Sequence, residues 1–132
     1  MRVLLDTDVL LDVALAREPH VENSVAVFQW VQAGGEAAVA WHSLTNCSYL
    51  LKGGRPFLAK LLALVDVVTV GSTDAHFALG LPMTDLEDAF QAAAAVAWKA
   101  DFVITRNLSD YRHSPIPAIS PQAFTQMLAN GE

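Results

Sequence analysis

Only one cysteine, Cys47, is present, so no disulfide can form within the chain. A lone thiol fits a reducing cytoplasm, where structural disulfides are rare. Cys47 reads as a small buried hydrophobe rather than a nucleophile. Long apolar runs are also missing. No uninterrupted stretch reaches the ~18 residues that a spanning helix needs, so no membrane segment is expected. The opening residues do not read as a signal peptide, because Asp6, Asp8 and Asp12 break what would be its apolar region. Positive charge is scarce: 8 basic residues stand against 14 acidic ones, for a net charge of -6. That argues against a nucleic-acid partner held by a global basic field. A local field stays open, because a bound metal cancels the charge of its carboxylates, and Lys52, Arg55, Arg106 and Arg112 supply local cations. No repeat, low-complexity tract or linker interrupts the chain.

What is present is apolar surface and a rhythm of short elements. With 53% hydrophobic and 17% charged residues the chain builds a core and is too apolar for disorder. Its 132 residues set one domain, 1–132, as the expectation. Arg2 to Leu5 reads as a buried strand, too short for a helix. Val9 to Ala16 reads as a helix. Val21 to Gln32 carries apolar residues at Val21, Val25, Phe28 and Val31, which is helical spacing, and Gly34-Gly35 ends it. Ala37 to Trp41 is a second strand. Ser43 is the expected N-cap of a helix to Leu51, stopped by Gly53-Gly54. Pro56 to Val65 is helical, Val67 to Val70 a β-branched strand, and Thr73 to Leu81 a short helix. Thr84-Asp85-Leu86-Glu87 fits a capping box opening a helix to about Lys99. Phe102 to Thr105 and Ala118-Ile119 are strands, and Ser120-Pro121 opens the last helix. This alternation predicts a three-layer α/β/α sandwich with a short parallel sheet of four or five strands, covered on both faces.

Three acidic clusters sit at the ends of these elements: Asp6-Thr7-Asp8, Asp85-Leu86-Glu87-Asp88, and Asp110 in the loop Thr105 to Asp110. Sites in open parallel sheets lie at the carboxyl ends of the strands, so all three can meet at one edge. Two carboxylates ~4 Å apart repel by roughly 4 kcal/mol at an effective dielectric near 20, so a meeting calls for a cation. Oxygen-only ligands favour Mg²⁺ or Mn²⁺, and metal beside an open pocket points to phosphate-ester or phosphodiester hydrolysis.

Asp6 is a helix cap or a ligand. Asp8 lies in the first turn, where an anion suits the helix dipole. Asp12, one turn on, reads as structural. Glu87 reads as the reciprocal member of the capping box, and Asp85 as a helix-terminal anion or a ligand to a second ion. Asp88 has no capping duty and is the stronger ligand candidate. Asn46 is expected to face the same edge, and Thr105 to hydrogen-bond a ligand carboxylate. Asn107 and Asp110 are either site residues or turn builders. Arg106 and Arg112 flank the third cluster and are candidate phosphate contacts. His20, His42, His76 and His113 show no metal spacing and read as surface or satisfied core. Trp30, Trp41 and Trp98 read as core or dimer interface.

In Asp6-Thr7-Asp8-Val9-Leu10-Leu11-Asp12, Ser43-Leu44-Thr45-Asn46, Asp85-Leu86-Glu87-Asp88-Ala89 and Thr105-Arg106-Asn107-Leu108-Ser109-Asp110-Tyr111, the chain resembles the PIN-domain nucleases, the fold of many VapC-type toxins. Ser114-Pro115-Ile116-Pro117 and Ser120-Pro121-Gln122-Ala123-Phe124 are similar to the family's C-terminal end. The resemblance implies a Mg²⁺- or Mn²⁺-dependent ribonuclease that leaves a 5′-phosphate and a 3′-hydroxyl. It also implies an antitoxin that covers the site, and a homodimer. On this footing Asp6, Asp88 and Asp110 hold metal, and Asn107 joins them in the catalytic set. Asp8, Asn46, Asp85, Glu87 and Thr105 support them. The family's second acidic position is usually Glu and its fourth often Asp; here Asn46 and Asn107 stand there. Each exchange removes a negative charge and leaves a neutral carbonyl oxygen, which weakens metal affinity. Two other readings stay open: a non-catalytic RNA- or partner-binding module, and a haloacid-dehalogenase-type phosphatase using Asp6 and Asp8.

Overall fold

The computed structural model describes residues 1–131. Five parallel strands form one sheet: β1 (Arg2–Leu5), β2 (Glu36–Val39), β3 (Asp66–Val67), β4 (Phe102–Ile104) and β5 (Ala118–Ile119). Their spatial order is β3-β2-β1-β4-β5, so β1 is central, paired at Leu4 with Ala38 on one side and Val103 on the other. The helices are α1 (Thr7–Ala14), α2 (Val21–Gln32), α3 (Trp41–Leu50), α4 (Gly54–Leu62), α5 (Ser72–Leu79), α6 (Leu86–Trp98) and α7 (Pro121–Ala129). A single 3-10 turn spans Leu108–Tyr111.

Side chains alternate along each strand and build a core on each face. Val3, Leu5, Ala37, Val39 and Ile104 meet Val9, Leu10, Val27, Cys47, Leu61 and Phe124 from α1, α2, α3, α4 and α7. Leu4, Ala38 and Val103 meet Ala94 and Ala95 of α6 and Tyr111. Leu4 and Leu5 are fully buried on opposite faces, each contributing about 1.5–3 kcal/mol by burial. The buried stripe Ala92 to Ala95 lets α6 approach the sheet at little side-chain entropy cost. A leucine at Ala95 overpacks that contact and costs about 1–3 kcal/mol.

The layered parallel architecture agrees with the sequence reading; several boundaries do not. The cap of α6 is Asp85, not Thr84: Asp85 Oδ1 accepts from Asp88 N at 3.0 Å. Both residue types cap well, and a one-residue slip frees Glu87 from the reciprocal role. α3 starts at Trp41 behind Ala40 with no side-chain cap, so Ser43 falls inside its first turn, fully buried. α4 begins at Gly54; Gly53, at φ 61°, is its N-cap and takes the left-handed turn that starts the helix. β3 is Asp66–Val67 rather than Val67 to Val70, and Val70 lies exposed. Trp30 does join the core, edge-on to Phe124 at 5.0 Å, and Gly35 keeps its place, since a Cβ there would stand 2.4 Å from the indole. Trp98 is half-buried beneath the Arg2 guanidinium, 4.0 Å from its ring centroid. Trp41 is 68% exposed and is not core. His42 is neither surface nor satisfied: its buried Nε2 has no partner, and burial pushes its pKa down.

Candidate active site

β1 and β4 end side by side, and Asp6 N donates to Ile104 O at 3.0 Å. The next residues therefore leave the sheet together, at the carboxyl ends of the central strand and one of its neighbours. Asp6 caps α1 and is 4% exposed. Its Oδ1 accepts from Thr7 N (2.7 Å) and Gln91 Nε2 (3.1 Å). Its Oδ2 accepts from the hydroxyls of Thr105 (2.8 Å) and Tyr111 (3.1 Å). Four donors fix this carboxylate in one orientation. Even so its pKa is raised, because burial outweighs those donors and Glu87 adds to it.

Asp8 sits one residue inside α1. Its Oδ2 accepts from Arg106 N (2.9 Å), while Oδ1 is buried with no partner. Burial first, then the charge of Asp6, pushes its pKa up to about 6. Asp88 comes from the first turn of α6 and is 7% exposed. Its Oδ1 lies 3.3 Å from the Tyr111 hydroxyl that already serves Asp6. Burial, then Asp6, Asp85 and Asp110, push its pKa up to about 7. Tyr111 has one proton for two carboxylates, and burial beside both drives its own pKa far up.

Asp6, Asp8, Asp85, Glu87, Asp88, Asn107 and Asp110 line one open cleft of about 330 Å³, with Thr7, Leu11, Arg17 and Arg106. Thr105 lies beneath it, fully buried, donating to Asp6 and accepting from Asn107 N at 3.1 Å. Asn46 is not on its wall; its Nδ2 donates to Glu87 Oε1 at 2.9 Å, so it acts on the cleft through that carboxylate. Arg112 is exposed and not on the wall either. Arg106 is there, and it is anchored. Its Nε and Nη2 donate to Asp12 at 2.6 and 3.1 Å, and Arg17 Nε donates to the same carboxylate at 2.8 Å. Asp12 is fully buried, and its structural role is thus to aim two guanidinium groups at the cleft rim. The hydrogen bond to Asp12 is also the main reason that the Arg106 pKa is raised.

The buried layer under Asp6 contains residues to which the sequence reading gave no part in the site. Gln91 is fully buried one turn after Asp88; its Nε2 serves both Asp6 and Ser43 Oγ (2.7 Å), and its Oε1 has no partner. Thr7 reaches Ser43 at 2.9 Å. The available signal was Gln91 itself, a polar residue interrupting the apolar stripe of α6.

Among the described residues, no three His, Cys, Asp or Glu side chains are drawn together as a finished metal cage. The donor set still suits a hard divalent cation: it is all oxygen, Asp6, Asp8 and Asp88 are raised in pKa by burial first and then by neighbouring carboxylates, and Asp8 Oδ1 has an empty acceptor.

A PIN-domain family model matches residues 2–109. Among solved structures the chain is similar to one in the VapBC2 complex of Rickettsia felis bound to a promoter DNA fragment, with a TM-score of 0.69 and 14% identity over 91% of this chain and 98% of that one. A toxin–antitoxin complex from Klebsiella pneumoniae gives 0.66 and 18%, covering 90% and 97%. VapBC-1 from nontypeable Haemophilus influenzae gives 0.67 and 12%, covering 92% and 99%. At these identities the likeness is one of fold. No curated protein sequence matches. The matched segment runs from the central strand to Ser109, one residue short of Asp110, and on it the chain belongs to the PIN-domain family.

Proposed function

We propose that this chain, acting as one PIN domain over residues 1–132, is a Mg²⁺- or Mn²⁺-dependent endoribonuclease of the cytoplasm and the toxin of a toxin–antitoxin pair. The observation that carries this reading is the meeting of Asp6, Asp8 and Asp88 in one open cleft, two of them with pKa values pushed up to about 6 and about 7. Asp6, Asp88 and Asp110 would hold the ion, with Asn107 contributing a neutral oxygen. A metal bound there supplies a Lewis acid and a water of lowered pKa for attack on phosphorus. Thr105, Tyr111 and Gln91 lock the Asp6 carboxylate. Asn46 steers Glu87. Arg106, held protonated by Asp12, neutralises a phosphodiester at the cleft rim. Likeness in fold to chains from VapBC and other toxin–antitoxin complexes supports a cognate antitoxin as partner; a homodimer belongs to the same proposal. The phosphatase reading loses ground to the PIN-domain family match over residues 2–109. The test is incubation with single-stranded RNA in Mg²⁺ or EDTA. Cleavage by the parent in Mg²⁺, lost in EDTA and in Asp6→Asn, is the expected result. Cleavage by Asp6→Asn at the parent rate would reduce Asp6 to a helix cap, and no cleavage under any divalent ion would favour a non-catalytic binding module.

A further inference from the structure

A second cavity, of about 260 Å³, opens next to the acidic cleft. It is lined by His20, Asn23, Arg106, Ser120, Pro121 and Gln122, and Arg106 stands on the wall of both. The Arg106 guanidinium is bolted to Asp12 through Nε and Nη2, which leaves Nη1 free of protein partners among the described residues. Ser120 Oγ is occupied, accepting from Ala123 N at 3.1 Å. Gln122, in the first turn of α7, accepts from the Thr125 hydroxyl at its main-chain carbonyl, not at its side chain. The side chains of His20, Asn23 and Gln122 make no hydrogen bond to protein among the described residues, and His20 and Asn23 are half-buried.

We infer that this cavity seats the base of a single-stranded RNA nucleotide next to the cleaved phosphodiester, with Arg106 on the phosphate between the two pockets and the amides of Asn23 and Gln122 reading the base edge. The inference rests on the nuclease reading above. A primary amide offers a donor and an acceptor side by side, which matches a base edge. A phosphate offers acceptors only, so it would pair with the amide N–H groups alone and leave both amide oxygens without a donor. Single-stranded RNA presents unstacked bases whose edges are free for such contacts. Neutral amides also explain how a chain of net charge -6 reads a base without a basic field.

The double variant Asn23→Ala/Gln122→Ala is compared with the parent on a pool of single-stranded RNA randomised around the cleaved bond, its fold checked by circular dichroism. The parent should prefer one base at one flanking position, and the variant should lose about tenfold of that discrimination while still cutting the pool. An unchanged preference, or a parent with no preference at either flanking position, overturns the inference. A binding arm separates this from the nuclease reading: Asp6→Asn is photo-crosslinked to RNA carrying 4-thiouridine at each position in turn. If the parent cuts no RNA, crosslinks at His20, Asn23 or Gln122 uphold the base seat while the nuclease reading fails. Crosslinks only elsewhere, or none, overturn the base seat.

Discussion

Asp88→Asn should stabilise the metal-free protein at high pH and leave it unchanged at low pH. The ionised Asp88 carboxylate is disfavoured by burial and by the charges of Asp6, Asp85 and Asp110, so its pKa rises from 3.8 to about 7. One pH unit corresponds to about 1.4 kcal/mol, so full ionisation costs at most about 4 kcal/mol. Water in the open cleft screens part of this, and about 2–4 kcal/mol is the expected range. The raised pKa means that the folded state binds more protons than the unfolded chain between about pH 4 and pH 7. Stability of the parent in EDTA therefore falls as pH rises through that window. Asparagine keeps an oxygen for the Tyr111 hydroxyl and has nothing to ionise. At pH 8 in EDTA the variant should melt roughly 8–16 °C above the parent, and at pH 4 the two should coincide. Adding millimolar Mn²⁺ should raise the parent by about 2.7 kcal/mol at a hundred times the dissociation constant, and the variant by less. The assay is thermal melting by circular dichroism across pH 4 to 8. A gain independent of pH, or a variant no more stable than the parent at pH 8, would refute the repulsion argument.

Asp12→Ala should cost about 2 kcal/mol: breaking a buried pair costs about 3–5 kcal/mol when the stranded charge stays dry, but Arg17 and Arg106 are 39% and 30% exposed and can rehydrate. Urea denaturation measures it, and a neutral result would mean that the clamp is ornamental to the fold. Arg106→Ala should lower RNA cleavage by about 100-fold, as for loss of one transition-state donor, while Arg112→Ala leaves it unchanged; initial rates of both variants decide this. Asn46→Glu sets two carboxylates against each other at Glu87, costing about 1 kcal/mol at solvent dielectric without metal, and should gain more from Mg²⁺ than the parent does. Melting in EDTA and in Mg²⁺ checks both signs, and equal metal shifts in the two proteins would place Asn46 outside the site.

Particular residues show how far the sequence was legible. Val3-Leu4-Leu5 and Phe102-Val103-Ile104 are too apolar and too short for anything but buried central strands, and parallel strands carry their next residues to one edge; so the meeting of Asp6, Asp88 and Asp110 was foreseeable. Local signals blurred where two residues compete for one duty. Thr84 and Asp85 both cap well, and the choice decides whether Glu87 is spent on the backbone or free to accept from Asn46. Ser43 looked like a cap because hydroxyls favour that place; tertiary structure instead buries it against Thr7 and Gln91. Long-range pairs were illegible: nothing local in Asp12 says that Arg106 will close on it from 94 residues away. Trp41, read as the end of a strand and as core or dimer interface, opens α3 instead and is 68% exposed, which removes the core half of that reading.

The central claim is that the carboxylates of Asp6 and Asp88 hold a divalent cation. Anomalous diffraction from a crystal soaked in Mn²⁺ tests it directly. The account predicts a peak in the cleft, roughly 2 Å from an oxygen of each of these two residues and absent from crystals of Asp6→Asn. A well-ordered soaked crystal with no peak in the cleft, or with Mn²⁺ bound only elsewhere, would contradict it.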